Sequence, residues 1–325
     1  MNAIIKRIKD AVISGEIAPI LVVGDLMLDE YHWCNVKRIS PEAPVPVCKV
    51  NNTTLSLGGA GNVANNIQNL SVNTTIFGFV GEDSSGDKLV KLFKKNQINN
   101  DGVIKTERPT ILKSRVIAHQ QQVVRLDRED DHPLSLKERN QLFKVFEKHI
   151  KNCSAVVISD YLKGTLTESF ISKIITTAKA HQKIVIVDPK GESFLKYKNA
   201  TVITPNFSEF QAVVGQKIKT EKEIFDKGKQ LLKKLNIDAL LLTRSEKGMS
   251  IIRHDSKIDI SSDAKEVFDI TGAGDTVVAV LTLALANGLD VEQAAKIANK
   301  AAGLVVEKQG TATVSWSEME NLADV

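Results

Sequence analysis

Short unbroken apolar runs recur along the chain, at residues 20–23 (Ile-Leu-Val-Val), 155–158 (Ala-Val-Val-Ile), 184–187 (Ile-Val-Ile-Val), 201–203 (Thr-Val-Ile) and 239–242 (Ala-Leu-Leu-Leu). A strand with one face in water alternates apolar and polar residues, so runs without alternation predict strands covered on both faces, as in a parallel sheet. Between them lie longer segments, including 135–151, 167–181 and 221–235, with apolar residues at three- and four-residue steps and Lys or Glu elsewhere. These predict amphipathic helices. Strands and helices in alternation make a doubly wound, mainly parallel α/β fold.

One stretch breaks this rhythm. Residues 109–128 alternate with period two across two arms, as an antiparallel pair exposed on one face does. Residues 45–50 add a candidate third strand. The expectation is one domain over 1–325, carrying a small β-sheet lid with strands within about 38–52 and 109–128. The N-terminal segment places Ile4, Ile5, Ile8 and Val12 at helical spacing among Lys6, Arg7, Lys9 and Asp10, which reads as an amphipathic surface helix and not a signal peptide.

Composition narrows the function classes. With 325 residues, 42% apolar and 25% charged, the chain can bury a large core. Basic residues exceed acidic ones by four and are spread along the chain, while aromatics make up only 5%, so the basic stripe with stacking rings of a nucleic-acid binder is missing. Cys34, Cys48 and Cys153 are odd in number and far apart, which indicates neither a disulfide framework nor a zinc site and suits a reducing cytoplasm. No run is long enough to span a membrane.

The strongest chemical signal is Asp269-Ile270-Thr271-Gly272-Ala273-Gly274-Asp275-Thr276, followed by a small-residue helix. A glycine turn opening a helix points unpaired N–H groups outward, and with the helix dipole they make an anion site. Asp275 then faces the bound anion. A carboxylate beside a phosphate is electrostatically costly, which makes sense if it takes a proton from an attacking hydroxyl. The bland alternative is an acidic first-turn residue behind a tight turn.

A second glycine cluster, Gly58-Gly59-Ala60-Gly61-Asn62, opens another helix; Asn62 suits hydroxyl groups, and packing is the plain alternative. Asp25 and Asp29 follow the first strand, at the edge where open parallel sheets bind ligands; Asp29 is the better candidate for sugar hydroxyls, and capping is the rival role for either. In Thr204-Pro205-Asn206-Phe207-Ser208-Glu209, Asn206 and Glu209 have the spacing of a capping pair, yet Glu209 also suits a magnesium ion held through water. Residues 243–248 form a strand-end turn fit to line a nucleotide.

The two glycine clusters together resemble the two signatures of the ribokinase-like (PfkB) carbohydrate kinases, and the resemblance covers nearly the whole chain. Finer matches at 23–31, 38–47, 159–164, 188–191, 204–210 and 243–249 are similar to one branch, which phosphorylates D-glycero-D-manno-heptose 7-phosphate at O1 for lipopolysaccharide inner-core synthesis. The resemblance implies a large α/β domain with a β-sheet lid. It implies Asp275 as the catalytic base and Gly272, Ala273 and Gly274 as the anion hole. Asp29, Gly59 and Asn62 match sugar-binding positions. Asn206, Ser208 and Glu209 fall near ATP and Mg²⁺, Glu209 acting through water; Thr243, Ser245 and Gly248 belong to the nucleotide pocket, and Asn299 lies near adenine. No HxGH-type nucleotidyl motif follows the kinase, so the expected form is the stand-alone kinase.

The implied substrate carries a phosphate, which needs a cationic grip. Lys113 and Arg115 share one face of the alternating stretch, Arg125 comes from the opposing arm, and Lys163 and Lys190 follow strands; each is equally read as a solvated charge. A homodimer is expected, because lid sheets with exposed edges pair between subunits. The competing functions are another PfkB-type phosphosugar kinase, a nucleoside kinase, for which the basic lid would lack a purpose, and a non-catalytic sugar or nucleotide sensor, for which Asp275 would be superfluous. A dehydrogenase is excluded, since no GxGxxG follows the first strand.

Overall fold

The computed structural model describes residues 2–119, 121–264, 267–308 and 310–321. The unbroken apolar runs form strands where expected: β1 (Ile20–Gly24), β8 (Ala155–Ser159), β9 (Ile184–Asp188), β10 (Val202–Ile203) and β11 (Ala239–Thr243). They join β4 (Thr74–Gly81), β5 (Asn99–Thr106), β12 (Met249–Ile252) and β13 (Lys257–Ile260) in one nine-stranded sheet of order β13-β12-β11-β10-β9-β8-β1-β4-β5. All recorded pairings in it are parallel except those of β12 with its two neighbours.

Helices cover both faces, which is why the strands carry no polar face. On one side, α1 (Asn2–Ile13), α2 (Ala60–Asn69), α3 (Ser84–Lys95), α8 (Ala273–Ala286) and α9 (Val291–Val306) enclose a core with Val22, Ile76, Val157 and Leu241. On the other, α4 (Leu136–His149), α5 (Glu168–Ala180), α6 (Phe207–Val214) and α7 (Glu221–Leu235) enclose one with Leu21, Phe77, Val156 and Leu240. A short helix, α10 (Trp316–Asn321), packs near α1. No helix among the described residues is long and apolar enough to cross a membrane.

The small sheet has order β3-β2-β6-β7 and comprises β2 (Leu26–Ile39), β3 (Pro46–Gly59), β6 (Ile111–Ala118) and β7 (Gln121–Arg128). It is larger than expected. The strand expected at 45–50 extends to Gly59, and β2 was not foreseen at all, because its start, Leu-Met-Leu, reads as the tail of the preceding buried strand. Asp29 therefore sits in a strand and not in a loop. Only Asp25 separates β1 from β2, so the chain leaves the large sheet and enters the small one at a single residue.

Phe146 on α4 is fully buried and meets the edge of Phe77 on β4, ring centres 5.7 Å apart. Phe146→Ala is expected to cost about 3–5 kcal/mol in denaturant unfolding without altering the secondary structure.

Candidate active site

The carboxyl ends of β1, β8, β9, β10 and β11 meet the start of α8. Helix α8 is buried nearly all round, so its N-terminus is driven into the sheet edge. Gly272 caps it at φ 83, a left-handed conformation, and a Cβ there would stand 2.8 Å from Asn62 Nδ2. A Cβ on Gly274 would meet no atom within 4 Å, so this residue faces open space. Ala273 N–H donates to Ile270 O at 3.2 Å, which removes it from the expected anion hole. Among the described residues no acceptor meets the N–H groups of Gly272, Gly274 or Asp275, and these three remain for an anion.

Asp275 is only 6% exposed. Its Oδ2 accepts from Asn62 Nδ2 at 2.7 Å and its Oδ1 from Tyr161 OH at 2.9 Å. Burial raises its pKa to about 6; the bonds from Asn62 and Tyr161 hold the rise back, and the charge of Asp29 adds to it. A carboxylate with that proton affinity is ionised at neutral pH and still basic enough to take a proton.

Two cavities border the turn before α8, one through Gly272 and the other through Thr271, and Asp275 lines the first. The first, about 190 Å³, lies along the ends of β8 to β11 and is lined by Asp188, Lys190, Asn206, Glu209 and Thr243 with Gly272 and Gly274. The second, about 440 Å³, opens under the small sheet and is lined by Tyr31, Trp33, Ser56, Arg115, Gln122 and Thr311. Asp29, 4% exposed, contacts Arg115 Nη1 through Oδ1, and a Cβ on Gly58 would stand 2.5 Å from its Oδ2. Glycine at 58 thus makes room for Asp29.

Several expected ligands have other partners. Asn62 is fully buried and turns its amide to the base, with its own carbonyls met by Asn66, so it is no sugar-facing group. Gly59 is needed for packing, since a Cβ would stand 2.7 Å from Asp25 O and Met27 Cε. Asn206 and Glu209 form the reciprocal capping pair, each main-chain N–H bonded to the other side chain at 2.9 Å. The other Glu209 oxygen accepts from Lys190 Nζ at 2.6 Å, which puts Lys190 in the first cavity and not under the small sheet. Lys163 pairs with Glu129 at 2.5 Å and Arg125 with Asp127 at 2.9 Å, and neither lines either of these two cavities. Lys113 stands beside Asp29 in the register of β6 against β2.

On the nucleotide side, Thr243 lines the first cavity, whereas Ser208 and Ser245 are exposed outside its lining. Gly248 closes a tight turn at φ 78, where a Cβ would collide with Ile260 O. Asn299 donates to Ser261 O at 2.8 Å and Asp263 Oδ2 at 3.0 Å, tying α9 to the segment after β13.

Sequence reasoning missed Asp188, Asp160 and Tyr161. Each stands at or just past the end of a buried strand, and that placement was the available signal. Burial and the nearby charges of Asp275 and Glu209 push the Asp188 carboxyl well above the usual carboxylate range, with Lys190 opposing. Such excess negative charge among oxygen donors fits a hard cation. Among the described residues, the one trio of His, Cys, Asp or Glu side chains close enough to ligate an ion directly is Asp130, Asp131 and His132, outside this lining. Asp188 and Glu209 are the residues in the first cavity that could hold a Mg²⁺ ion through water.

A large α/β sheet with a four-stranded lid, and a buried aspartate behind a glycine turn, define a ribokinase-like sugar kinase. The model of the pfkB family carbohydrate kinases matches residues 18–318, and the chain belongs to that family of ATP-using enzymes. Among curated proteins it is 46% identical over 305 residues to the "Bifunctional protein HldE" of Histophilus somni and of Pasteurella multocida, covering 94% of this chain and 63% of each relative. The chain thus spans under two thirds of those relatives' length. Among solved structures it resembles Arabidopsis thaliana ribokinase complexed with ribose and ATP (TM-score 0.75, 20% identity, 95% of this chain and 99% of that one). It also resembles phosphofructokinase-2 of Escherichia coli in complex with potassium (TM-score 0.78, 20% identity, 95% and 99%).

With Asp275 as the proton acceptor only its ionised form would act, and kcat/KM would then be expected to fall about tenfold per pH unit below about 6 and to level off above it. A pH–rate profile in Mg-ATP checks this.

Proposed function

We propose that the protein transfers the γ-phosphoryl group of ATP to O1 of D-glycero-β-D-manno-heptose 7-phosphate, giving the 1,7-bisphosphate and ADP, for ADP-heptose and lipopolysaccharide inner-core synthesis. The observation that carries this is Asp275, a buried carboxylate lining the first cavity beside unpaired N–H groups, in a turn whose Thr271 lines the second cavity. The choice of sugar is supported by the 46% identity to the HldE proteins.

The sugar occupies the cavity under the small sheet and ATP the one along β8 to β11. Arg115, which lines the sugar cavity, and Lys113 on the same strand supply positive charge for the distal phosphate. Asp275 takes the O1 proton as O1 bonds to the γ-phosphorus and the bond to ADP breaks. The N–H groups of Gly272, Gly274 and Asp275 face the transferring oxygens, and losing one such donor costs about 3 kcal/mol of barrier. When bound, Mg²⁺ neutralises phosphate charge, with Asp188 and Glu209 holding it. Lys190 stands within reach of the same phosphates.

The test is ADP release with Mg-ATP across heptose 7-phosphate, fructose 1- and 6-phosphates, ribose and adenosine. Turnover is expected with the heptose alone. Asp275→Asn should lower kcat by about 10²–10⁴-fold with ATP binding kept, and Arg115→Ala should raise KM for the phosphosugar but not for ATP. Preference for another sugar on the panel refutes the heptose assignment and keeps the kinase.

The same proposal extends to a homodimer in the cytoplasm, where three free thiols are at home. The small sheet ends in two open edge strands, β3 and β7, and leaves Val50, Val124 and Leu126 exposed. Sedimentation equilibrium is expected to give twice the chain mass, and Leu126→Glu to shift it toward the monomer. A wild-type monomer at all concentrations rules the dimer out.

A further inference from the structure

The loop after β8, residues 160–165, is built in an expensive way. Leu162 holds a left-handed φ of 56, and Gly164 one of 85 at which a Cβ would collide with His132 O. Two buried carboxylates hold it there. Asp25 Oδ2 accepts from Tyr161 N at 2.8 Å and Lys163 N at 3.1 Å, and Oδ1 from Thr165 N at 3.2 Å. Asp160 Oδ1 accepts from Leu162 N at 2.8 Å, while its Oδ2 takes Lys196 Nζ at 2.6 Å and Tyr197 OH at 2.7 Å. Both aspartates are at most 2% exposed.

So much fixed geometry delivers one group to the active site, the Tyr161 hydroxyl on Asp275 Oδ1 at 2.9 Å. Asp25 also reaches the other donor. Its main-chain carbonyl accepts from Ala60 N at 3.1 Å and so fixes the start of α2, the helix that carries Asn62. Both donors on the base are thus tied to the residue where the chain passes from one sheet to the other.

We propose that Tyr161 is a positioning residue for the base, and that Asp25 is the hub that aims Tyr161 and Asn62 at the two oxygens of Asp275. Rotation of the carboxylate is blocked from both sides, and the residue lines the first cavity. The Tyr161 hydroxyl also favours the ionised form of Asp275, because it donates to the carboxylate and has nothing to offer the acid that the acid lacks. It stays a donor, since burial and the charge of Asp275 push its own ionisation well above the usual tyrosine range.

The other charged groups facing Asp275 are Asp29 on β2, itself held by Arg115 on β6, and Asp188 at the end of β9, flanked by Lys190 and by Glu209 of α6. Asp29 raises the proton affinity of the base. The two neutral donors are what oppose burial and Asp29 at the carboxylate itself.

The inference rests on Asp275 being the base, and its test needs no substrate. The Asp275 carboxyl carbon is titrated by ¹³C NMR in the wild type and in Tyr161→Phe, with Asp275→Asn giving the assignment. The midpoint is expected about one pH unit higher in Tyr161→Phe, as for loss of a hydrogen bond to a charged acceptor. In the wild type, the Tyr161 ring carbon bearing the hydroxyl is expected to shift with the same midpoint as Asp275, a readout that needs no variant. With the phosphosugar as substrate, the acid limb of kcat/KM should move by the same amount while KM for ATP holds. An unmoved Asp275 midpoint in Tyr161→Phe, or a Tyr161 ring carbon flat while Asp275 titrates, overturns the proposal. Inactivity toward every sugar with the NMR shifts present overturns the kinase assignment alone.

Discussion

Everything at this site depends on keeping one negative charge in a place from which water has been largely removed. Moving the Asp275 pKa from 3.8 to about 6 corresponds to ~3 kcal/mol of unfavourable interaction in the ionised form. The sign follows from proton binding: the folded state holds this proton more tightly than the unfolded chain, so stability from this group is greatest in acid and declines as pH rises from about 4 to about 6. A fold selected for stability alone would not place an aspartate here. The charge is tolerable because each oxygen has a directed donor, and the same cost makes the carboxylate a competent base near neutrality.

The two-sheet architecture follows from the same need. A base that must hold its proton affinity needs walls on several sides, and the wall under the small sheet comes from β2, which leaves β1 through Asp25 alone. Glycines at 24, 58, 59 and 78 let the two sheets and α2 converge at that corner; a Cβ on Gly78 would stand 2.6 Å from Gly24 O and Leu26 Cγ. The buried Asp25 carboxylate satisfies three N–H groups of a loop that forms no ladder, in which each unpaired amide would otherwise cost about 1–3 kcal/mol.

How much of this was legible in the sequence divides along physical lines. Strands β1, β8, β9 and β11 and helices α4, α5 and α7 appear within two residues of their expected limits, since burial on both faces or on one stripe writes a period into the residues. Strand β2 was invisible because Leu26, Met27 and Leu28 are all buried at the corner, which erases the alternation that marks a lid strand. The glycine turn before α8 was legible because glycine is required where φ is left-handed. Which donor faces which acceptor was not, since Asn62 turned toward a sugar and Asn62 turned toward Asp275 look alike in a sequence; only the approach of α2 to α8 decides between them.

The residues around Glu209 show why structural and functional readings of one motif need not compete. The capping pair uses Asn206 Oδ1 and Glu209 Oε2, which fixes the start of α6 and the rotamer of Glu209. That bond leaves Oε1 in the cavity, where Lys190 meets it. A carboxylate already anchored by one oxygen loses little further freedom when the other meets a cation, so the cap lowers the entropic cost of binding at the same side chain. Gly272 follows the same logic: the left-handed turn that starts α8 also leaves the space that Asn62 needs to reach the base. At this site, the local rule that ends a strand or starts a helix is the means by which the cavity's carboxylates and their donors are aimed.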